Sequence, residues 1–465
     1  MASDIIAIKI INFAIQAPLI FNYTFIAHFS LFLNLKIYNV YVHLFCLRVV
    51  FDVMNKLLLI VLFFVFCNYF FDVILTILNL KRFSVELPDP VKDVYDQNEY
   101  DKSQQYQAEK SKFSIISSTF SLFILCIVLA VNGFERLDIF VRQFSESPIV
   151  LGVIYFLLMG LFLQLIKLPF DWFDTFVIEE KFGFNKTSYK TYFMDILKAL
   201  LLSLVIFVPI FALVLWFFSA FNTNAWLYVW ISLTVFQIVM LFVAPICIMP
   251  LFNKYEPLKD KDLEKVILDY TNSQNFSLKG VFQMDGSKRS TKSNAFFTGF
   301  GPFKRVVLFD TLIEKHSHQN LRVIMAHEVG HYKHKHLIKM FVIGSIFMLA
   351  MLYLLNLAIQ SNSLGQAFGF SNVSLYANLL VFSFLYQPLD FISSLFIQSF
   401  SRKHEYEADA FAVKTTKDPD SLIDALKKLS KDNLTHLTPH PLLVFCKYSH
   451  PPLLQRIQAI LRVKH

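Results

Sequence analysis

Seven stretches of this chain are too long and too apolar to serve as core helices of a soluble domain. They run near Leu57–Leu78, Phe113–Val131, Ile149–Ile166, Ala199–Phe218, Trp226–Phe252, Leu337–Ile359 and Ala377–Phe400. About 20 apolar residues in a helix cross a bilayer core. Lipid offers backbone groups no hydrogen-bond partner, so such segments must be helices. Composition agrees: 55% of residues are apolar and 17% charged, against roughly 45–50% and 25% in soluble domains, and the mean hydropathy is +0.50. The chain therefore reads as an integral, multi-pass membrane protein. A further run, Ile5–Phe32, is interrupted by Lys9 and His28. Residues 1–53 read as an N-terminal extension, with Met54 as an alternative start. They carry no small-residue cleavage site after a compact apolar core, so a cleaved signal peptide is not expected.

The loops sort by charge. Leu80–Lys112 holds six Lys or Arg, Lys167–Lys198 five and Asn253–Lys335 fourteen. The alternate loops hold two (Arg136 and Arg142), none in Ser219–Ala225 and none in Gln360–Tyr376. Basic short loops stay cytoplasmic, so this alternation orients seven spans with the C-terminus in the cytosol. The net charge of +8 is assigned to that orientation, and no nucleic-acid partner is expected. The five cysteines are scattered, with no C-x-x-C pair, and read as small apolar fillers.

Five regions follow: residues 1–53, the extension; 54–252, five spans; 253–336, a soluble region; 337–400, the sixth and seventh spans; and 401–465, a C-terminal segment. In the soluble region Leu258–Ser273 predicts an amphipathic helix. Gly280–Met284 and Val306–Phe309 predict strands around Ser293–Pro302, an alternating run with turn residues at Gly299–Pro302. Such a hairpin leaves an edge that can accept an extended peptide as an added strand. The fold expected is mainly α, a polytopic membrane protein with about seven transmembrane helices plus a small α+β domain.

The chemistry is concentrated in His327-Glu-Val-Gly-His331, just before the sixth span. Positions i and i+4 share a helical face, so both imidazoles can bind one metal ion, leaving Glu328 to polarise an attacking water. A catalytic zinc has three protein ligands and an open position. The third ligand is sought after the seventh span, where Glu405 and Asp409 are also i,i+4. Glu405 suits the metal and Asp409 a hydrogen bond to a ligand histidine. His404 is a rival ligand; Glu407 lies on another face. His334 and His336 read as surface histidines and stay outside the expected site.

Several ordered segments resemble the type I CAAX prenyl endopeptidases: His327–His331 with His336, Arg402–Ala412 around Glu405-x-x-x-Asp409, Asp174–Asn185, Pro250–Leu258, Ser287–Phe297 and Tyr448–Leu453. The resemblance runs from about Asp174 to Arg456, and the span layout extends it to about Leu57. It implies seven helices around an intramembrane chamber and one zinc ion on His327, His331 and Glu405. It also implies Glu328 as base, Asp409 behind a ligand, Asn294 at the substrate edge, and His450 and Arg456 as a C-terminal active-site pair. The implied reaction is hydrolysis after a prenylated Cys, releasing the C-terminal tripeptide. The partners implied are prenylated or other C-terminal peptide substrates and membrane lipid; nothing bears on oligomeric state. The implied location is the endoplasmic reticulum membrane in a eukaryote or the cytoplasmic membrane in a bacterium, with the site facing the cytosol. Read from the residues alone, His450 can donate to an oxyanion, or His450 and Arg456 can belong to a solvated turn and helix start. Two other functions fit fewer of these features: a broad quality-control peptidase, and a seven-span transporter or receptor with a structural zinc.

Overall fold

The computed structural model describes residues 56–83, 86–298 and 304–464. The run Ile5–Phe32 and the turn Gly299–Pro302 lie outside them. The first span is α1 (Lys56–Leu80). The second is the apolar half of α2 (Gln97–Ala130), whose polar half begins at Asp96. The Asp96 carboxylate accepts from the Glu99 N–H while Glu99 accepts from the Asp96 N–H, a reciprocal cap that starts the helix. A short α3 (Gly133–Val141) then leads into α4 (Pro148–Phe173), which runs on through a π-helical turn over Asp174–Glu179. Next come α5 (Tyr189–Phe221) and α6 (Ala225–Val243).

Six helical runs among the described residues are long and apolar enough to cross a membrane, and one of them is Tyr189–Phe252. That run is a hairpin: the chain turns at Asn222 (φ 37°), and α5 and α6 pack along each other. It thus crosses twice, as the two separate apolar runs in the sequence suggest. Only 6–22% of the residues in the most apolar windows are buried within the protein, so most of their apolar side chains are left for lipid.

After the fifth span, β1 (Tyr255–Pro257), α7 (Lys261–Ser273), β2 (Gly280–Met284), β3 (Ala295–Thr298) and β4 (Arg305–Phe309) follow. The sheet order is β1-β2-β4-β3. β2 is parallel to β4, and the outer strands are antiparallel to their neighbours. The expected hairpin is therefore β3–β4, with Phe296 opposite Val307 and β3 at the sheet edge. α7 starts later than expected because Asp260 caps it, accepting from the Leu263 N–H, while Leu258 hydrogen-bonds to the Val281 carbonyl beside the sheet. Strand β1 was not anticipated: three residues are too few to show an alternation.

A short α8 (Asp310–Lys315) precedes α9 (His318–Lys333). The sixth span is α10 (His336–Ile359) and the seventh opens α11 (Leu375–Thr416), a helix of 42 residues. The polar end of α11 continues beyond Phe400. Then α12 (Pro419–Asp432), α13 (Pro441–Lys447) and α14 (Leu453–Lys464) wrap the end of the chain around α9 and α11. One apolar core joins Leu263 and Ile267 of α7, Val281, Val306 and Leu308 of the sheet, and Leu321, Met325 and Val329 of α9 with Ala412, Leu422 and Ile460. Burial of this many aliphatic side chains, each worth about 1.5–3 kcal/mol, locks α9 in place.

Candidate active site

Helix α9 starts at Ser317, whose hydroxyl accepts from the Asn320 N–H. Its aliphatic face is buried in the core just described, which leaves His327, Glu328 and His331 at the rim of that core. Helix α11 crosses it closely. Gly330 is the reason: a Cβ placed there would meet the Ala408 Cα at 3.0 Å and the Ala408 carbonyl at 3.1 Å. With hydrogen alone at that point, the polar part of α11 lies against the two histidines.

The contact brings three donors together. His327 Nε2 and His331 Nε2 are 3.1 Å apart. Glu405 Oε1 lies 3.3 Å from His331 Nε2 and Glu405 Oε2 3.6 Å from His327 Nε2. One atom from each lies within 4.8 Å of the others. Two imidazole nitrogens and a carboxylate oxygen, turned to one point, are a donor set that suits a catalytic zinc with an open position. His327 Nδ1 donates to Asp409 Oδ1 at 2.8 Å, which leaves its Nε2 lone pair for the shared point. The rival His404 is buried and stacks on His336, ring centroids 3.9 Å apart; it is not among these three donors.

Arg456, near the start of α14, makes a two-pronged pair with Asp409, Nε–Oδ2 2.8 Å and Nη2–Oδ1 2.6 Å, and its Nη1 stands 3.3 Å from Glu405 Oε2. Burial disfavours its charge, but the Asp409 and Glu405 carboxylates outweigh that and hold its pKa above the usual range. Its location is thus behind the carboxylates, not in a solvated helix start. Glu328 is half-buried, and desolvation raises its carboxyl above the ordinary glutamate range despite the opposing histidines.

These groups line one cleft of about 360 Å³ with Asn294, Ala295, Leu426, Leu429 and His450. His450 is at its mouth, with Nε2 3.4 Å from Glu405 Oε1 and its side chain 65% exposed. Asn294, just ahead of edge strand β3, is exposed; its Oδ1 accepts from the Ala295 N–H. Seven of the eight residues expected from the sequence line this cleft, and the eighth, Asp409, stands buried behind it against His327 and Arg456.

Two groups left outside the expected site also reach it. His336 is only 3% exposed; its Nδ1 is 3.0 Å from His331 Nδ1 and its Nε2 is 2.9 Å from Glu407 Oε2. Helical spacing hides this contact. Five residues turn a helix about 500°, which would place His336 about 140° away from His331. The chain instead breaks at Lys335, in the left-handed region (φ 55°), and His336 folds back. A signal was present: His336 recurs in the motif on which the resemblance rests.

The chain is similar to known proteins over most of its length. Residues 257–464 match peptidase family M48, and residues 76–254 match the CAAX prenyl protease N-terminal region of five membrane helices. The CAAX prenyl protease 1 of Saccharomyces cerevisiae is 31% identical over 425 residues, covering 85% of this chain and 93% of that protein. The chain belongs to the CAAX prenyl protease family. The human CAAX prenyl protease 1 homolog is also 31% identical, over 83% of this chain and 91% of its own length. The crystal structure of S. mikatae Ste24p superposes with a TM-score of 0.83 at 31% identity, covering 88% of this chain and all of that one. As a CAAX prenyl protease family member the protein is a multi-pass membrane metalloprotease, and the family implies a bound metal.

Proposed function

We propose that this metalloprotease holds one zinc ion on His327, His331 and Glu405. Its reaction is hydrolysis of the peptide bond after a prenylated cysteine, releasing the C-terminal tripeptide. The observation that carries the reading is the convergence of those three donors beside the half-buried Glu328, in a cleft that also reaches the sheet edge at Asn294. The zinc supplies Lewis acidity toward the scissile carbonyl and the attacking water. Glu328 takes the proton of that water and delivers it to the leaving amine. Asp409 keeps His327 in the tautomer that presents Nε2, and Arg456 neutralises the buried Asp409. His450, at the cleft mouth, donates its N–H to the oxygen that gains charge as the carbonyl is attacked. Asn294 and strand β3 bind the substrate backbone as an added strand. Among the described residues no hydrogen bond uses the Asn294 Nδ2, which leaves that donor for a substrate carbonyl.

The relatives' names support a prenylated substrate, and the seven spans give such a substrate a route. A prenyl chain gains about 0.8 kcal/mol of burial per CH₂, so the peptide arrives through the bilayer. The basic loops support a cytosolic site, and the yeast and human relatives support the endoplasmic reticulum membrane. The deciding experiment is a digest, in vesicles, of a farnesylated C-terminal peptide and its unprenylated twin. The expected result is tripeptide release from the farnesylated peptide at least about tenfold faster, since tenfold corresponds to only about 1.4 kcal/mol of the lipid's burial. Equal rates make the protein a broad quality-control peptidase, and no release from either by zinc-loaded protein overturns the reading.

A further inference from the structure

We infer that His336 and Glu407 form a hydrogen-bond relay behind His331 that fixes which of its ring nitrogens faces the metal. The inference rests on His331 being a metal ligand, as proposed above. It starts from proton accounting. His331 Nε2 faces His327 Nε2 and Glu405, so a metal there requires its lone pair. A neutral imidazole then carries its proton on Nδ1, and Nδ1 is 3.0 Å from His336 Nδ1. His331 Nδ1–H therefore donates to the His336 Nδ1 lone pair. His336, neutral in turn, carries its proton on Nε2 and donates to Glu407 Oε2 at 2.9 Å. Every nitrogen in the relay has one role and no proton is left over.

The ring of His336 is also held in plane. His404 stacks on it with centroids 3.9 Å apart and 11° between planes, and His334 lies nearly parallel with centroids 5.4 Å away. Such a ring cannot turn to offer its edge elsewhere without breaking both stacks. The two zinc-facing histidines thus have parallel supports of different make. Asp409, neutralised by Arg456, orients His327; Glu407, through His336, orients His331. Partners of this kind raise ligand basicity and typically contribute 10–100-fold in metal affinity.

The same groups suggest a second ion, because His334, His336 and Glu407 also offer atoms within 4.8 Å of one another. The proton count argues against it. A second ion on His336 Nε2 would force its proton to Nδ1, facing the Nδ1–H of His331 across 3.0 Å. Two donors cannot share that gap, so the second ion and a zinc-bound His331 exclude one another.

The test uses the full-length protein in detergent and reads zinc affinity by chelator competition and, after exchange, the visible spectrum of the cobalt form. His336→Leu and Glu407→Leu should weaken zinc by about 10–100-fold and shift the cobalt bands. Glu407→Gln and His336→Asn, which keep an acceptor in place, should recover most of the affinity. Leucine variants with wild-type affinity and spectrum overturn the relay. Equal loss in all four variants with a matching fall in Tm also overturns it, making His336 a packing residue. Nitrogen-15 shifts of the labelled histidines in the wild-type protein give an independent reading. Protons on His331 Nδ1 and His336 Nε2 are expected, and the opposite tautomers, or a second zinc equivalent lost in Glu407→Gln, overturn the relay. Failure of the zinc site itself is distinguishable, because His331→Ala would then leave zinc content unchanged.

Discussion

At the scale of single residues, the proposed function separates a group that moves a proton from groups that hold others still. The proposed reading gives Glu328 the first task, since it lines the cleft beside the two histidines without joining the three-donor set. Glu328→Gln keeps the shape of the side chain and removes its basicity. The variant should retain zinc and Tm while peptidase activity falls about 10²–10⁴-fold, the usual contribution of a positioned base. Zinc analysis, thermal melting and a peptide digest on one preparation check this, and a fall below about tenfold would assign the proton to another group. Glu328, His327, His331 and the Glu405–Asp409 pair are all legible from residue type and i,i+4 spacing. His336 is not, because its contact depends on a backbone break at Lys335 that periodicity does not announce.

At the scale of elements, His327, His331 and Glu405 meet because α9 and α11 pack closely at one glycine. The small residues on the other side match it: Ala408 and Ala412 are fully buried. A valine at Gly330 would press against Ala408 backbone at 3.0–3.1 Å and the Phe411 Cβ at 3.2 Å. Backbone cannot yield as a side chain does, so the helices must separate. Overpacking of this kind costs about 1–3 kcal/mol. Gly330→Val should lower Tm and also raise the zinc dissociation constant, because Glu405 sits on the helix that is pushed away. Unchanged zinc affinity with a lowered Tm would mean that Glu405 does not depend on this contact. Gly330 sits inside the motif as one of two unspecified positions, and its role emerges only from the crossing.

At the scale of the whole molecule, the charge of the loops between the spans predicts which side of the membrane the cleft faces. The α5–α6 hairpin turn carries no Lys or Arg, whereas the soluble region before α10 is strongly basic. In a cysteine-free background, Thr223→Cys and Lys265→Cys, both exposed, should react with a membrane-impermeant thiol reagent from opposite faces of sealed microsomes. Lys265→Cys should label from the cytosolic side and Thr223→Cys only after permeabilisation. Labelling of both from one side would remove the hairpin as a double crossing.

The long-range order of this protein was largely set by local chemistry. Apolar run length requires membrane helices, because unpaired backbone is too costly in lipid. Their number followed from the breaks between runs, and the hairpin at Asn222 bears out the division of Tyr189–Phe252 into two. The paired histidines and the second i,i+4 acidic pair could be placed on helical faces before any contact was known. What spacing could not supply was distance between separate elements. That Glu405 rather than His404 turns to the histidines depends on how α11 rotates against α9. That Arg456, 47 residues after Asp409, neutralises it depends on α14 folding back against α11 and α12. His336 and Glu407 meet only because a left-handed residue reverses the chain between two helices. Each of these is a packing outcome: the core around Met325 and Val329 decides how the elements rotate, and the side chains of the site follow.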